Sequence, residues 1–281
     1  MLIPPDVPLS ARAFEFLTKL VYDRSRIRLG PDRQALVASR LRQRVQSLGL
    51  SDYEAYCSLL RAPEGEDEVD ALIDLISTNH THFFREPAHF ELLSRHILPQ
   101  MADGVQGTLR QLRFWSAAAS SGEETYSLAI VLAEFCRNRP WLQWHIDASD
   151  ISQRMLHRCQ QGIYEADKVE LPVPEWRERY FQRGIGEREG CLRIKQELRR
   201  HVSVHSINLF QDAYPVSRGL DVIFCRNVMI YFDVPSRSHL VERLTDMLVP
   251  GGYLFVGHSE SLIGIRHGLT SVWPSVYIRP Q

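Results

Sequence analysis

The chain of 281 residues lacks an excess of either charge: 33 Lys and Arg stand against 34 Asp and Glu, a formal net charge of -1. That balance excludes coating of nucleic acid by bulk electrostatics, so any basic surface is local. Cysteine is scarce. Cys57, Cys136, Cys159, Cys191 and Cys225 are odd in number, widely spaced and never in a C-x-x-C pair. Neither a disulfide framework nor a zinc knuckle is written there, and a reducing compartment fits best. No window approaches the roughly 18 consecutive apolar residues of a membrane span, and the start MLIPPDVPLSARAF has no charged-then-apolar leader pattern.

What is present is an ordinary globular composition, 44% hydrophobic and 24% charged, enough to bury a sizeable core. The length allows one large domain with a small companion. Residues 9 to 75 read as helical, with apolar residues at helical spacing in AFEFLTKLVYD, QALVASRLRQRVQSLGL and YEAYCSLL. Pro31 and Asp32 stand where a helix would start, and Gly49 where a C-cap glycine would follow one. Charge is segregated here: basic residues predominate up to residue 62, whereas Glu64, Glu66, Asp67, Glu68, Asp70 and Asp74 crowd the next segment. On residues 32 to 48, Arg33, Arg40 and Arg44 fall close to one helix face, with Leu36, Leu41, Val45 and Leu48 as the expected buried side.

From about residue 109 short apolar strands alternate with amphipathic helices, the pattern of a parallel sheet with crossover helices, so function is expected at strand ends. The alternation is interrupted between Gly162 and Asn208 by a stretch richer in β character, read as an inserted lobe. Two places invite a ligand. In AAASSGEE (117 to 124) small side chains close a strand and Gly122 opens a helix, so backbone N–H groups can approach an anionic group. The pattern is not G-x-G-x-x-G, and Glu123 and Glu124 would repel a pyrophosphate while suiting an ammonium group, which favours a zwitterionic amino-acid moiety. Asp150 ends the next strand, where an acid accepts from ribose hydroxyls in doubly wound folds. Its plainer role is to cap the following helix, and Asp147 competes with it.

Six segments, STNHTHFFREPAHF, FWSAAASSGEETYSLA, DASDIS, INLF, FCRNVMIYF and FVGHSESL, together resemble the signature blocks of the CheR-type chemoreceptor methyltransferases, in the family's order and over most of the chain. RIRLGPDRQALVASRLRQRVQSLGL also resembles the family's N-terminal domain. The resemblance implies an α/β fold of the class I S-adenosylmethionine-dependent methyltransferase type, a Rossmann-like doubly wound sheet. It implies a helical receptor-recognition domain over 1–75, a linker over 76–92, a methyltransferase domain over 93–281 and an antiparallel β-subdomain inserted at 165–206.

The implied activity is methyl transfer from S-adenosyl-L-methionine, leaving S-adenosyl-L-homocysteine, to glutamate side chains on the cytoplasmic helical bundle of a chemoreceptor. Carried over by motif, Asn79, Thr81 and Arg85 meet the cofactor from the linker, Glu123 holds its methionine end, with Glu124 the alternative, and Asp150 holds the ribose. Asn208 and Leu209 border the adenine, and Arg226 and Asn227 follow the central strand. Arg85 and Tyr231 are the candidates to orient the substrate carboxylate, the plainer role of Tyr231 being a core tyrosine under the sheet. The resemblance turns Arg33, Arg40 and Arg44 into a face for acidic receptor helices; in some members of the family the inserted lobe grips a receptor's C-terminal peptide, its plainer role being to shield the cofactor. A cytoplasmic monomer with no nucleic-acid partner and no membrane insertion is expected.

Other constellations read plainly. His80, His82 and His89 lack a carboxylate or cysteine to complete a metal set, so no metal is expected. Cys225 lies in an apolar strand and reads as an inert thiol, and His258, Ser259 and Glu260 cannot form a triad as sequence neighbours. The rivals are a nucleic-acid methyltransferase, opposed by charge and by the absence of an Asn or Asp-Pro-Pro-aromatic element, and a docking platform that keeps the cofactor fold without chemistry.

Overall fold

The computed structural model describes residues 8–103 and 108–281. Its contacts fall into two units, one of residues up to 78 together with 231–236, the other of 79–230 together with 237–281.

The first unit is helical, built on α1 (Ala11–Ser25), α2 (Gln34–Ser47), α3 (Tyr53–Arg61) and α4 (Glu66–Ile76). Ser10 caps α1 by accepting from the Ala13 N–H at 3.0 Å, and Asp52 caps α3 by accepting from the Ala55 N–H at 2.8 Å. A 3₁₀ turn at Pro31–Arg33 leads into α2, and Gly49 follows it at φ +68°. The expected buried side of α2 needs correction. Val37, Leu41 and Val45 are buried, whereas Leu36 is half-buried and Leu48, one residue past the helix end, is 36% exposed. A four-residue step keeps 37, 41 and 45 in one row, and 36 and 48 only flank it. The acid-rich segment has a local reason: Glu66, Asp67 and Glu68 occupy the first turn of α4, where the helix dipole favours negative charge. Within this unit the Tyr22 hydroxyl donates to Asp233 Oδ2 at 2.6 Å and the Arg28 N–H donates to the Tyr231 carbonyl at 2.9 Å.

The second unit begins with α5 (Pro87–Leu92) and α6 (Leu98–Ala102), joined through a π turn. It continues with β1 (Arg110–Ala117), α7 (Glu123–Cys136), β2 (Leu142–Asp150) and α8 (Gln153–Gln161). Then come β3 (Ile163–Glu165), α9 (Glu175–Tyr180), β4 (Phe181–Arg183), β5 (Cys191–Ile194), α10 (Gln196–Arg199) and β6 (Val202–Ser206). The last elements are β7 (Leu220–Cys225), α11 (Val234–Met247), β8 (Leu248–Phe255), β9 (Thr270–Trp273) and β10 (Val276–Ile278). Seven strands form one sheet in the order β6-β2-β1-β7-β8-β10-β9, parallel except for the pairings of β10. All six residues of β7 are buried, as a central parallel strand covered on both faces requires.

A separate antiparallel sheet, β3-β5-β4, forms the inserted lobe. Its expected extent of 165–206 is corrected at both ends. Pairing starts at Ile163, and Val202–Ser206 leaves the lobe to pair in parallel with β2 as an edge of the main sheet. The alternating run VSVHS carries no mark of which sheet it joins. Phe83, ahead of α5, makes edge-on ring contacts with Tyr164 and Phe181 of the lobe.

Candidate cofactor and active site

β1, β2 and β7 end together: Ala117 pairs with Ser149 on one side and Cys225 on the other. The turn that leaves β1 is tight. Ala118 and Ser120 take left-handed backbone at φ +66° and +50°, and Gly122 opens α7 at φ +96°. A Cβ on Gly122 would lie 2.7 Å from Cys159 Sγ and 3.0 Å from the Tyr164 hydroxyl, so the glycine is needed for both conformation and space. Asp150 braces this turn by accepting from the Ser120 N–H at 2.8 Å and, through its other oxygen, from the Ser152 N–H at 2.9 Å. The side chain that caps α8 is Ser152, which accepts from the Met155 N–H. Asp147 is engaged elsewhere. It lies an odd number of residues from Asp150, hence on the opposite sheet face, and its Oδ1 is 2.7 Å from His205 Nε2.

The two acids after Gly122 separate. Glu124 Oε1 accepts from the Ser116 hydroxyl at 2.7 Å and Oε2 from Arg226 Nη1 at 3.2 Å. Glu123 accepts from the Ser121 hydroxyl at 2.7 Å. Burial raises the pKa of both, opposed at Glu124 by the Arg226 charge and at Glu123 by the Ser121 hydrogen bond. Glu124 is thus tied to β1 and to Arg226, while Glu123 holds its neighbour Ser121.

The segment before α5 lies against the same turn. The Ser120 hydroxyl donates to the Asn79 carbonyl at 3.1 Å, and the Asn79 amide nitrogen is buried without a partner among the described residues. Thr81 is half-buried. Phe84 and Glu86 both adopt left-handed backbone, φ +53° and +58°, and the Phe84 N–H donates to Ser127 Oγ at 2.9 Å. Between them the Arg85 guanidinium donates to the His80 carbonyl at 2.9 Å. Beyond β6, the Ile207 N–H donates to the Asp150 carbonyl, Asn208 Oδ1 accepts from the Phe210 N–H, and Leu209 is buried.

Arg226 has a fully buried side chain between acids, Nη2 donating to Glu86 Oε2 at 2.8 Å and to the Arg85 carbonyl at 2.6 Å. Asn227, at φ +58°, donates through its amide side chain to Glu86 and through its N–H to Glu260 Oε2 at 2.6 Å. Glu260 also accepts from the Gly257 and Ile230 N–H groups; burial raises its pKa and these donors oppose the rise. Burial would raise Glu86 as well, but hydrogen bonding and charge from Arg226, with donors from Asn227 and the His258 amide, hold it at about 2. Burial pushes the Cys225 thiol well above its ordinary value. Glu86, Glu124 and Glu260 were missed as organising residues. Glu86 and Glu260 stand at the ends of FFRE and HSE, but an acid in a motif does not announce its partner.

The structure brings Asn79, Arg85, Glu123, Asp150, Asn208, Arg226 and Asn227 onto the strand-end side of one unit. Tyr231 is placed otherwise: it is half-buried and belongs to the helical unit, so it is no core tyrosine of the sheet. In that unit Arg40 donates to the Leu75, Ile76 and Ser77 carbonyls at the end of α4, and Arg44 pairs with Glu68 in a fork at 3.0 and 2.6 Å. Arg33 is exposed beside Asp32. His89 does meet a carboxylate, contrary to the sequence expectation. Glu86, His89 and His258 present ligand atoms within 4.8 Å of one another, with the Arg226 guanidinium already on Glu86, where its charge opposes a cation.

A sheet with this order, ending in a small-residue turn braced by a buried acid, defines a class I S-adenosylmethionine-dependent methyltransferase. Residues 79–277 match the family described as CheR methyltransferase, SAM binding domain, and residues 12–77 match CheR methyltransferase, all-alpha domain. The chemotaxis protein methyltransferase of Salmonella typhimurium is 40% identical over 269 residues, covering 96% of this chain and 90% of the relative. That of Escherichia coli is 39% identical, covering 96% and 91%, and that of Borreliella burgdorferi 35%, covering 93% and 92%. The chain belongs to the CheR methyltransferase family. Its cofactor is S-adenosylmethionine, and the residues present fit that group: an Asn79 amide buried without a partner among the described residues, and a turn that admits no Cβ at Gly122.

Proposed function

We propose that this protein methylates glutamate side chains on the cytoplasmic helical bundle of a chemoreceptor. The observation that supports the reading is the buried Asn79 amide, without a partner among the described residues, beside the Ser120–Asp150 brace; Arg85, whose guanidinium donates to the His80 carbonyl, is the proposed substrate contact. The cofactor supplies a methyl group on a sulfonium, already electrophilic. A glutamate side chain, with an ordinary pKa of about 4.3, is already an anion at neutral pH, so no general base is called for. Catalysis is then alignment, which can supply several kcal/mol.

Asn79, Thr81 and Arg85 hold the cofactor from the linker, Glu123 its methionine end and Asp150 its ribose, with Asn208 and Leu209 beside the adenine and Asn227 at the end of the central strand. Arg85 orients the substrate carboxylate; Tyr231, the other candidate, is half-buried in the helical unit. A neutralising guanidinium is apt, because the nucleophile must approach a site already ringed by acids.

The helical unit reads the receptor. Arg33, Arg40 and Arg44 carry that proposal, and Arg33 supports it best because its side chain is exposed. The edges of the β3-β5-β4 sheet offer backbone donors and acceptors to a receptor's C-terminal peptide. Action in the cytoplasm follows from such a substrate, with the protein acting as a monomer in this proposal, and no described helix is long and apolar enough to cross a membrane. A silent docking platform is not favoured, since the relatives are named as methyltransferases. Incubation with methyl-labelled cofactor and receptor-containing membranes tests the reading: label released as methanol by mild base identifies a carboxyl ester, and base-stable label refutes it.

A further inference from the structure

The resemblance assigns Arg226 to the cofactor, yet its side chain is wholly buried and two of its three nitrogens are committed to protein acceptors. Those acceptors have a common consequence. Nη2 bridges the Arg85 carbonyl and the Glu86 carboxylate, and Nη1 ties the same guanidinium to Glu124, which Ser116 at the end of β1 fixes in turn. Glu86 closes a second loop by accepting from the Asn227 amide and the His258 N–H. Arg85 therefore sits between two left-handed residues, Phe84 and Glu86, each pinned by a hydrogen bond, with its own carbonyl clasped. Left-handed backbone at non-glycine residues persists only where the surroundings over-determine it.

We infer that Glu86 and Arg226 are positioning residues, a buried ion clasp that fixes the backbone at Arg85 so that the Arg85 guanidinium is presented to the reacting carboxylate. The inference rests on the reading that Arg85 meets the substrate. Glu86 is suited to the task because it joins the Arg85 backbone to the end of the central strand through Asn227 and to the β8 end through His258, so three segments of chain share one carboxylate. The Arg226 guanidinium supplies what a lysine could not, two nitrogens held in one plane that reach a carbonyl and two acids at once.

The test is a double-mutant cycle on the full chain, reading receptor methylation kinetics, calorimetric affinity for S-adenosylhomocysteine and melting temperature. Glu86→Gln keeps the shape and removes the charge, and it should lower kcat/KM by roughly 10- to 100-fold, the scale of a misplaced catalytic group. In the Arg85→Ala background the same change should cost less than about 3-fold, because its effect runs through a side chain already removed. Equal losses in both backgrounds would overturn the inference and leave Glu86 a part of the general fold. Arg85→Ala with unaltered kcat/KM would overturn the reading of Arg85 itself, a result visible before the cycle is closed. If Glu86→Gln does not fold, Glu86→Asp, which retains the charge on a shorter arm, runs through the same cycle: a loss confined to the Arg85 background supports the clasp, and equal losses overturn it.

Discussion

In the helical unit the Arg24–Glu66 pair stays at the surface, whereas in the sheet unit Arg226 is driven to complete burial among acids. The contrast is sharp in the numbers: Arg24 and Glu66 are 45% and 65% exposed, while Arg226 is 0% exposed against Glu86 and Glu124 at 14% and 13%. An exposed pair is screened by water and adds little. A buried one pays desolvation and is a poor source of net stability, but removing one member leaves a charge stranded. Charge bridges chain segments in both units, as Arg44 and Glu68 do between α2 and α4, but at Arg226 it does so with the cation wholly buried.

The largest effect that should follow is from Arg226→Met. It strands Glu86 and Glu124 and should lower stability by about 3 to 5 kcal/mol in denaturant titrations. Arg24→Ala should leave the melting temperature nearly unchanged, and equal losses in the two variants would break the comparison. Next, Asp150→Ala should weaken binding of S-adenosylhomocysteine by roughly 1 to 3 kcal/mol in calorimetry. Unchanged affinity in a folded variant would restrict Asp150 to bracing the turn.

A third effect is in the pH dependence. Burial, with the Arg226 charge, holds His89 down at about 3 from an ordinary 6.5. The folded protein keeps His89 neutral while the unfolded chain takes up a proton below 6.5, so this contribution is present above 6.5 and lost as pH falls toward 3. Glu86, held at about 2 from 4.5, adds a loss of the same sign between those values. Glu123, Glu124 and Glu260 are raised, so their contribution has the opposite sign, present at low pH and lost as pH rises through their folded values. Comparing the parent with His89→Phe isolates the histidine. Between about pH 6 and 4 the parent should lose up to about 1.4 kcal/mol more per pH unit, and parallel curves would refute it.

The smallest effect sharpens the surface side of the comparison. Arg33→Glu should leave the melting temperature unchanged and slow receptor methylation several-fold at low salt, the difference closing at high salt. The same reversal at Arg40 or Arg44 is a poorer test, because both side chains hold α4. A normal rate for Arg33→Glu at low salt would remove that residue from receptor reading.

Much of this was legible from local pattern. Apolar spacing located the helices of the first unit, alternation placed the parallel strands, and Gly122 and Asp150 were readable because a tight strand-to-helix turn and an acid at a strand end are local demands. The misses share a cause. Leu36 and Leu48 are as apolar as Val37, and only the direction from which α2 is covered chooses among them. Val202–Ser206 has the alternation of a strand without any sign of which sheet it joins. Arg40 and Arg44 look like a basic face until α4 lies beside them.

The sequence by itself determined the order of elements, the small-residue turn, the acid at the end of β2 and the family, because these depend on residue type and on spacing along a few turns of chain. Tertiary structure alone decided that Glu124 meets Ser116 and Arg226 while Glu123 holds Ser121, that Glu86 meets Arg226 across 140 positions, and that His89 finds Glu86 and His258. Charge partners are chosen by distance in space, and in a folded interior of low dielectric that choice sets pKa, backbone strain and the pose of Arg85 together.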